Sequence, residues 1–152
     1  MGNRGEGWFL IQAILLVLIL IAPFAPEVTN LDLSPLLRAA GAAAMLLGGV
    51  LVVAGIFGLG PSVSPFPKPR EDGALTTRGP YALVRHPIYT GIILGSFGWG
   101  ILTASGLTLL LALVLFFFFD AKSRREEAWL SEKYPGYVAY QQRVKKLIPW
   151  VY

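Results

Sequence analysis

Four apolar runs constrain the fold of this 152-residue chain more than any other feature. They extend over Trp8–Phe24, Leu36–Leu59, Ile88–Leu102 and Leu107–Phe119. A helix needs about 20 apolar residues to cross the hydrocarbon core of a bilayer, and the first two runs approach or exceed that length. Only 14% of the residues are charged, against about 25% in soluble domains. The chain is therefore predicted to be an integral membrane protein.

The predicted fold is all-α, a single membrane domain over residues 1–152 with four transmembrane helices at about 8–24, 36–59, 88–102 and 107–119. The first run could instead be a signal peptide, but Pro26 would follow the cleavage site and a second apolar run comes soon after, which favours an uncleaved span. The last two runs span only about 20 to 22 Å as helices. They form either a shallow hairpin or two helices that continue on the same side of the bilayer. We favour the second, because residues 120–133 lack proline and glycine, so the last helix should project as a long rod.

Basic residues are concentrated in two segments, and this predicts the orientation. Of the 13 Lys and Arg residues, four lie in the loop over residues 60–87 and seven in the tail over residues 120–152. By the positive-inside rule, both segments and both termini are predicted to face the cytoplasm. The net charge of +4 is then explained by topology and anionic lipid, and we expect no nucleic-acid partner.

The tail has a pattern of its own. Aromatic and apolar residues recur at three- and four-residue spacing, at Tyr137, Tyr140, Val144 and Leu147. This spacing predicts a short C-terminal amphipathic helix, which lies on the headgroups or closes over the cytoplasmic end of the bundle.

The residue types available exclude several kinds of catalysis. Cysteine is absent and histidine occurs once. Thiolate nucleophiles, cysteine zinc sites and multi-histidine metal sites are therefore excluded, and we expect no metal. Any reaction would have to take its reactivity from a cofactor or a substrate.

Ionisable residues gather at two helix ends that an antiparallel hairpin would bring together. Arg85 and His86 precede the third span, and a charged group over residues 120–127 follows the fourth. Charges beside a membrane core are costly, so their clustering predicts a site for a polar, charged ligand. Pro87 suits the first turn of a helix, whose free N–H groups favour an anion. For the two arginines of the second group, snorkelling at the membrane boundary is an equally good explanation.

Two stretches of the chain carry a family resemblance. Residues 75–91 read LTTRGPYALVRHPIYTG, and residues 125–149 contain a Glu-Glu pair, an apolar residue at Leu130, an aromatic and glycine turn and an Ile-Pro end. In this order, joined by a helical hairpin, they resemble the signature of the isoprenylcysteine carboxyl methyltransferase and phospholipid methyltransferase superfamily. The resemblance covers roughly the C-terminal half of the chain. It implies transfer of a methyl group from S-adenosylmethionine within a membrane bundle.

The resemblance also implies positions for the cofactor. Tyr81, His86 and Tyr89 match positions that hold its methionine and ribose end, and Glu126 and Glu127 match the acidic pair that completes the site. The anion-binding argument adds Arg85 to this group. Gly98 and Gly100 match a Gly-x-Gly element of phospholipid-type members, although helix packing is the better explanation in such a glycine-rich span.

The candidate catalytic residues are Glu127 and Arg125. Glu126 or Glu127 could remove a proton from an amine or thiol acceptor, whereas a carboxylate acceptor needs no base. The superfamily's carboxyl methyltransferases place an arginine about four residues before an acidic ligand, a position that falls near Lys122 or Ser123 here. Arg124 or Arg125 could substitute for it.

The expected function is therefore methyl transfer to a lipophilic acceptor at the cytoplasmic side of a prokaryotic cytoplasmic membrane. The acceptor could be a prenylcysteine-like carboxylate, a phospholipid amine or a small hydrophobic molecule. Two alternatives remain at this point: a nicotinamide-dependent membrane reductase of sterol-reductase type, and a non-catalytic lipid-binding membrane protein. Apart from membrane lipids, the sequence supports no further partner, although glycine faces on the second and third spans would permit pairing between chains.

Overall fold

A computed structural model describes residues 5–25, 30–64, 66–69 and 71–152. Pro26, on which part of the signal-peptide argument depends, lies outside the described residues. The helices are α1 (Glu6–Ile21), α2 (Pro35–Leu59), α3 (Pro87–Leu102), α4 (Gly106–Lys133) and α5 (Tyr137–Arg143), with short 3-10 turns at Ala22–Phe24, Gly60–Ser62 and Gly79–Ala82. The described part of the chain contains isolated β-bridges but no β-strand, as the all-α prediction requires.

Helix boundaries follow from local chemistry. Ser34 precedes α2, and its hydroxyl accepts a hydrogen bond from the Leu37 amide at 3.3 Å. Ser105 caps α4 in the same way through the Thr108 amide. Such caps satisfy N–H groups that have no partner within the helix. Helix α3 begins at Pro87, where the missing N–H group costs nothing.

Three segments of the described chain are long and apolar enough to cross a membrane: Glu6–Phe24, Pro35–Ser62 and Gly106–Lys133. Helix α3 is also apolar but has only 16 residues, which corresponds to about 24 Å. The expectation that both helices of the hairpin continue past the bilayer was wrong for α3. Pro87 prevents α3 from continuing toward the N-terminus, because proline disfavours the helical conformation of the residue that precedes it, here His86. Helix α4 does continue without interruption to Lys133.

Glycines bring α2 and α3 into backbone contact. A Cβ atom placed on Gly48 would lie 2.5 Å from the carbonyl oxygen of Gly91. One placed on Gly98 would lie 2.6 Å from the carbonyl oxygen of Gly41 and 2.5 Å from the amide nitrogen of Met45. These contacts allow the short helix α3 to be covered by α2 along its length, as small residues do in membrane helix pairs.

The remaining helices close the bundle around α4. Helix α1 packs on α4, with the Trp8 and Phe118 rings 5.5 Å apart. The Leu31 amide donates to the carbonyl of Ala104 at 2.8 Å, which joins the α1–α2 connection to the α3–α4 turn at one end of the bundle. The start of α1, the described part of the 60–86 loop and the tail meet at the other end, where the Phe9 ring contacts the Phe66 ring and the Arg85 amide donates to the carbonyl of Lys145.

The tail differs in detail from the predicted amphipathic helix. Helix α5 has seven residues and ends before Val144. Tyr137, Tyr140 and Leu147 are nevertheless buried, with exposures of 1%, 4% and 1%. The apolar spacing therefore reflects a tail that packs on the end of the bundle.

Candidate active site

The Arg85–His86 segment is held in place by the backbone of the tail. The Arg85 amide donates to the carbonyl of Lys145 at 2.8 Å, and the His86 amide donates to that of Lys146 at 3.1 Å. One turn into α3, the Thr90 hydroxyl donates to the carbonyl of Leu147 at 2.7 Å. The start of α3 is thus joined to the tail by three hydrogen bonds, and the His86 amide is paired within the protein.

Glu127 lies behind this segment, and both of its carboxylate oxygens have side-chain partners. Its Oε1 accepts from Arg85 Nε at 2.7 Å and contacts His86 Nε2 at 3.0 Å. Its Oε2 accepts from the Gln141 side chain at 3.1 Å. The Arg85 guanidinium also donates to the backbone carbonyls of Gln141 and Val144. Because the Arg85 and Glu127 side chains are each only 10% exposed, this network joins α3, α4 and the tail in an environment that water hardly reaches.

Glu126 faces a different environment from its neighbour. Its Oε2 accepts from the Tyr89 hydroxyl at 2.7 Å, and His86 Nδ1 lies 3.9 Å away. The Tyr89 ring is stacked between the His86 ring, at 5.3 Å, and the Phe119 ring, at 4.4 Å. Stacking fixes the direction in which the Tyr89 hydroxyl points, and hence the position of the Glu126 carboxylate.

These side chains border a cavity of about 280 Å³, close to the lower limit for small-molecule pockets. Its apolar wall includes Ile56 at the end of α2 and Ile88 and Ile92 on α3. Its polar wall includes His86, Glu126 and Lys122. A molecule with one apolar and one charged part could therefore find both environments in this cavity.

Two tyrosines beside the α2 end keep their hydroxyl protons at physiological pH. The Tyr81 hydroxyl donates to the carbonyl of Gly55 at 3.2 Å, and the Tyr140 hydroxyl donates to the carbonyl of Tyr81. Burial raises the pKa of Tyr140 to about 12 and raises the pKa of Tyr81 well above its usual value. Both groups therefore act as neutral donors that connect the 79–82 turn to α2 and the tail.

The structure brings together most of the residues that the sequence predicted for the site. Tyr81, Arg85, His86, Tyr89 and Glu126 all line the cavity. Glu127 supports them from behind through Arg85 and His86.

Three predicted residues lie elsewhere. Gly98 packs against α2, and a Cβ atom on Gly100 would lie 2.7 Å from the side chain of Leu109 on α4, so both glycines serve helix packing. Arg125 is exposed, and its guanidinium lies 4.6 Å from the centre of the Trp129 ring. Neither the glycines nor Arg125 line the cavity.

Two polar residues of the cavity wall, Gln12 and Lys122, were not among the site residues predicted from the sequence. Lys122 is only 1% exposed, and its Nζ lies 5.1 Å from the centre of the Tyr89 ring. It donates to the side-chain oxygen of Gln12 on α1. Both had a signal: Gln12 is the only polar side chain in the first apolar run, and Lys122 precedes Glu126 by four residues, which places them on one helix face.

The family model for phospholipid methyltransferase matches residues 36–136, which is most of the chain. This protein belongs to the phospholipid methyltransferase family. The match includes α2, the 60–86 loop, α3 and α4, and hence every described helix that borders the cavity except α1 and α5.

Relatives of this methyltransferase-family protein come from bacteria and eukaryotes. It is 36% identical over 81 residues to the cobalt-zinc-cadmium resistance protein CzcN of Cupriavidus metallidurans, covering 53% of this chain and 38% of the relative. It is 31% identical over 115 residues to protein-S-isoprenylcysteine O-methyltransferase B of Arabidopsis thaliana, covering 73% of this chain and 58% of the relative. The chain thus spans about two fifths to three fifths of the length of these relatives.

A solved structure supports the same grouping. The eukaryotic intramembrane Ras methyltransferase, isoprenylcysteine carboxyl methyltransferase, matches 99% of this chain with a TM-score of 0.72 and 27% sequence identity. The match covers 55% of the solved chain. The resemblance predicted from the two sequence stretches is therefore confirmed, and this family member is an integral membrane protein related to membrane methyltransferases.

Proposed function

We propose that this protein transfers a methyl group from S-adenosylmethionine to a lipophilic acceptor at the cytoplasmic side of the membrane. One observation carries the proposal: a cavity with an apolar wall on two membrane helices and a charged wall at the end of the bundle, in a methyltransferase-family fold. The apolar wall suits a lipophilic acceptor and the charged wall suits a water-soluble methyl donor, and methyl transfer requires the two molecules to be in contact.

The donor set of the polar wall fits this cofactor. Glu126 offers carboxylate oxygens that can accept from an ammonium group or from ribose hydroxyls, and it is a quarter exposed. Lys122 offers an ammonium group of the right charge for a methionine carboxylate. When bound, S-adenosylmethionine would supply an electrophilic methyl group on its sulfonium, so the protein needs neither a nucleophile nor a metal.

The protein's own residues would then act by holding and orienting. The stacked Tyr89 ring fixes Glu126, while Glu127 and Arg85 fix the start of α3 behind it. Orientation of this kind can supply several kcal/mol of the lowering of the reaction barrier. We assign Glu126 rather than Glu127 to ligand contact, because both Glu127 oxygens already have protein partners.

Glu126 is also the better candidate for a base if the acceptor is an amine or a thiol, since it lines the cavity and Glu127 does not. The apolar wall would take the hydrophobic part of the acceptor directly from the bilayer. Its residues lie on α2 and α3, which are the helices that pack together through glycines.

We further propose that α3 is a fourth, short span and that both termini face the cytoplasm of a prokaryotic cell. The two basic segments meet at the cavity end of the bundle, as the positive-inside rule requires. Because the chain has no cysteine, single cysteines introduced in the 60–86 loop and in the α3–α4 turn can be labelled without background. Membrane-impermeant labelling of the turn alone in whole cells would support this topology, and labelling of the loop alone would contradict it.

Isothermal titration in detergent tests the cofactor. We expect the protein to bind S-adenosylhomocysteine and to show no binding of a reduced nicotinamide nucleotide. Glu126→Gln keeps an oxygen that can accept from Tyr89 but removes the charge, so it should weaken binding about ten- to a hundredfold. Glu132→Gln, an exposed position on the same helix, is the control.

The acceptor requires a separate assay. Purified protein is incubated with radiolabelled S-adenosylmethionine and membrane lipid extract, and the label is followed in the organic phase. Transfer of label to a lipid fraction supports the proposal. Binding of the nicotinamide instead of S-adenosylhomocysteine would refute it, and binding without any transfer would indicate a non-catalytic protein.

A further inference from the structure

Five tyrosines line the cavity, and four of their hydroxyls have protein partners. Tyr81 donates to Gly55, Tyr89 to Glu126, Tyr134 to Gly73 and Tyr140 to Tyr81. The fifth, Tyr137, is different. Its hydroxyl is buried and has no hydrogen-bond partner within the described part of the chain.

The position of Tyr137 makes this exception informative. The residue is 1% exposed, so its hydroxyl gains little from bulk water. A buried hydroxyl without a partner is unfavourable, and native proteins rarely retain one without a reason. Trp99 Nε1 is also buried without a partner among the described residues, but Trp99 does not line the cavity, whereas Tyr137 does.

The surroundings of Tyr137 indicate what kind of ligand atom its hydroxyl could bind. The residue begins α5 in the tail, beside Tyr140, whose ring centre is 5.8 Å away. Burial, together with the nearby carboxylates of Glu127 and Glu126, raises the pKa of Tyr137 far above its usual value. The hydroxyl therefore keeps its proton and is available as a donor to an acceptor atom.

We propose that the Tyr137 hydroxyl donates a hydrogen bond to the water-soluble ligand of the cavity, which makes Tyr137 a cofactor-binding residue. The inference rests on the proposed function for the identity of that ligand, a nucleoside-linked amino acid. We assign Tyr137 to this ligand and not to the lipophilic acceptor, because Tyr137 lies in the tail with Glu126 and Glu127 nearby. The three isoleucines of the apolar wall, Ile56, Ile88 and Ile92, lie instead on α2 and α3.

Tyr137→Phe removes only the hydroxyl and tests the inference. We expect the dissociation constant for S-adenosylhomocysteine to rise roughly three- to tenfold, as loss of one neutral hydrogen bond implies. In the absence of ligand, the melting temperature should stay the same or rise, because the change removes a buried hydroxyl that has no hydrogen-bond partner among the residues that the structure describes.

Tyr140→Phe is the matched variant, because it removes a hydroxyl that donates to the Tyr81 carbonyl. It should lower the melting temperature of the ligand-free protein. An unchanged dissociation constant in Tyr137→Phe would overturn the inference. An equal fall in the melting temperatures of Tyr137→Phe and Tyr140→Phe would overturn it as well, because it would indicate that the Tyr137 hydroxyl has a partner within the protein. If the unaltered protein binds no S-adenosylhomocysteine, the proposed function itself fails, and this inference fails with it.

Discussion

The Arg85–Glu127 ion pair should be a main determinant of stability at the cavity end of the bundle. Glu127→Ala would leave the Arg85 guanidinium, 10% exposed, with two backbone carbonyls but no opposite charge. It would also remove one contact of His86 and the acceptor of the Gln141 side chain. The segment before α3 and the tail would thus lose a common partner on α4.

The expected magnitude follows from the burial of the pair. Removing one member of a buried ion pair costs about 3–5 kcal/mol, mostly because the other charge is left uncompensated. At roughly 2–4 °C per kcal/mol for a chain of this size, the melting temperature should fall by about 6–20 °C. We expect ligand affinity to fall as well, but as a consequence of lost positioning rather than of lost contact.

Thermal unfolding in detergent, followed by circular dichroism, measures this effect. Glu132→Ala, an exposed glutamate on the same helix, is the control and should stay within about 0.5 kcal/mol of the unaltered protein. In a double-mutant cycle, Arg85→Met with Glu127→Met should be much less unstable than the sum of the single changes. Strict additivity, or a Glu127→Ala protein as stable as the control, would refute the reasoning.

Three further predictions concern packing, the tail and an exposed arginine. Gly48→Ala should destabilise the protein by about 1–3 kcal/mol in the same melting assay, because its Cβ would meet backbone atoms of α3. Gly49→Ala is the control, since a Cβ on Gly49 would lie more than 4 Å from every described neighbouring atom, and it should be neutral or slightly stabilising. Lys146→Ala removes the 2.7 Å ion pair with Asp120, and should speed hydrogen exchange at the tail amides while exchange within α2 stays the same. Arg125→Ala should change the affinity for S-adenosylhomocysteine by less than twofold, because the Arg125 guanidinium contacts the Trp129 ring outside the cavity. A tenfold loss of affinity in the titration would show that Arg125 contributes to binding after all.

Much of the framework could be predicted from side-chain chemistry alone. Apolar run lengths predicted the bounds of α2 to within one residue, and the start of α3 at Pro87 followed from the geometry of proline. The antiparallel hairpin then required Arg85 and His86 to meet the part of α4 that follows the fourth apolar run. Charge clustering therefore predicted correctly which ionisable residues come together beside the cavity.

The roles of single residues within the cluster were harder to predict, because one turn of a helix separates very different environments. Glu126 and Glu127 are adjacent in the sequence but project about 100° apart on α4, so one lines the cavity and the other is buried in an ion-pair network. The same argument applies to Gly98, since a glycine that permits close approach is equally suited to a ligand or to a neighbouring helix.

The contribution of the tail could not be predicted for a different reason. It positions Arg85 and His86 through the backbone carbonyls of Val144, Lys145 and Lys146. Backbone carbonyl groups are the same in every residue, so no pattern of side chains in the sequence predicts which of them accept these hydrogen bonds. The side-chain signal for this docking lies instead in the Lys146 contact with Asp120, where two oppositely charged residues 26 positions apart are both mostly buried. The shape of the cavity wall therefore depends on how the tail packs against the start of α3. For this reason Tyr137, at the start of α5, can line the cavity although it lies beyond both helices of the hairpin.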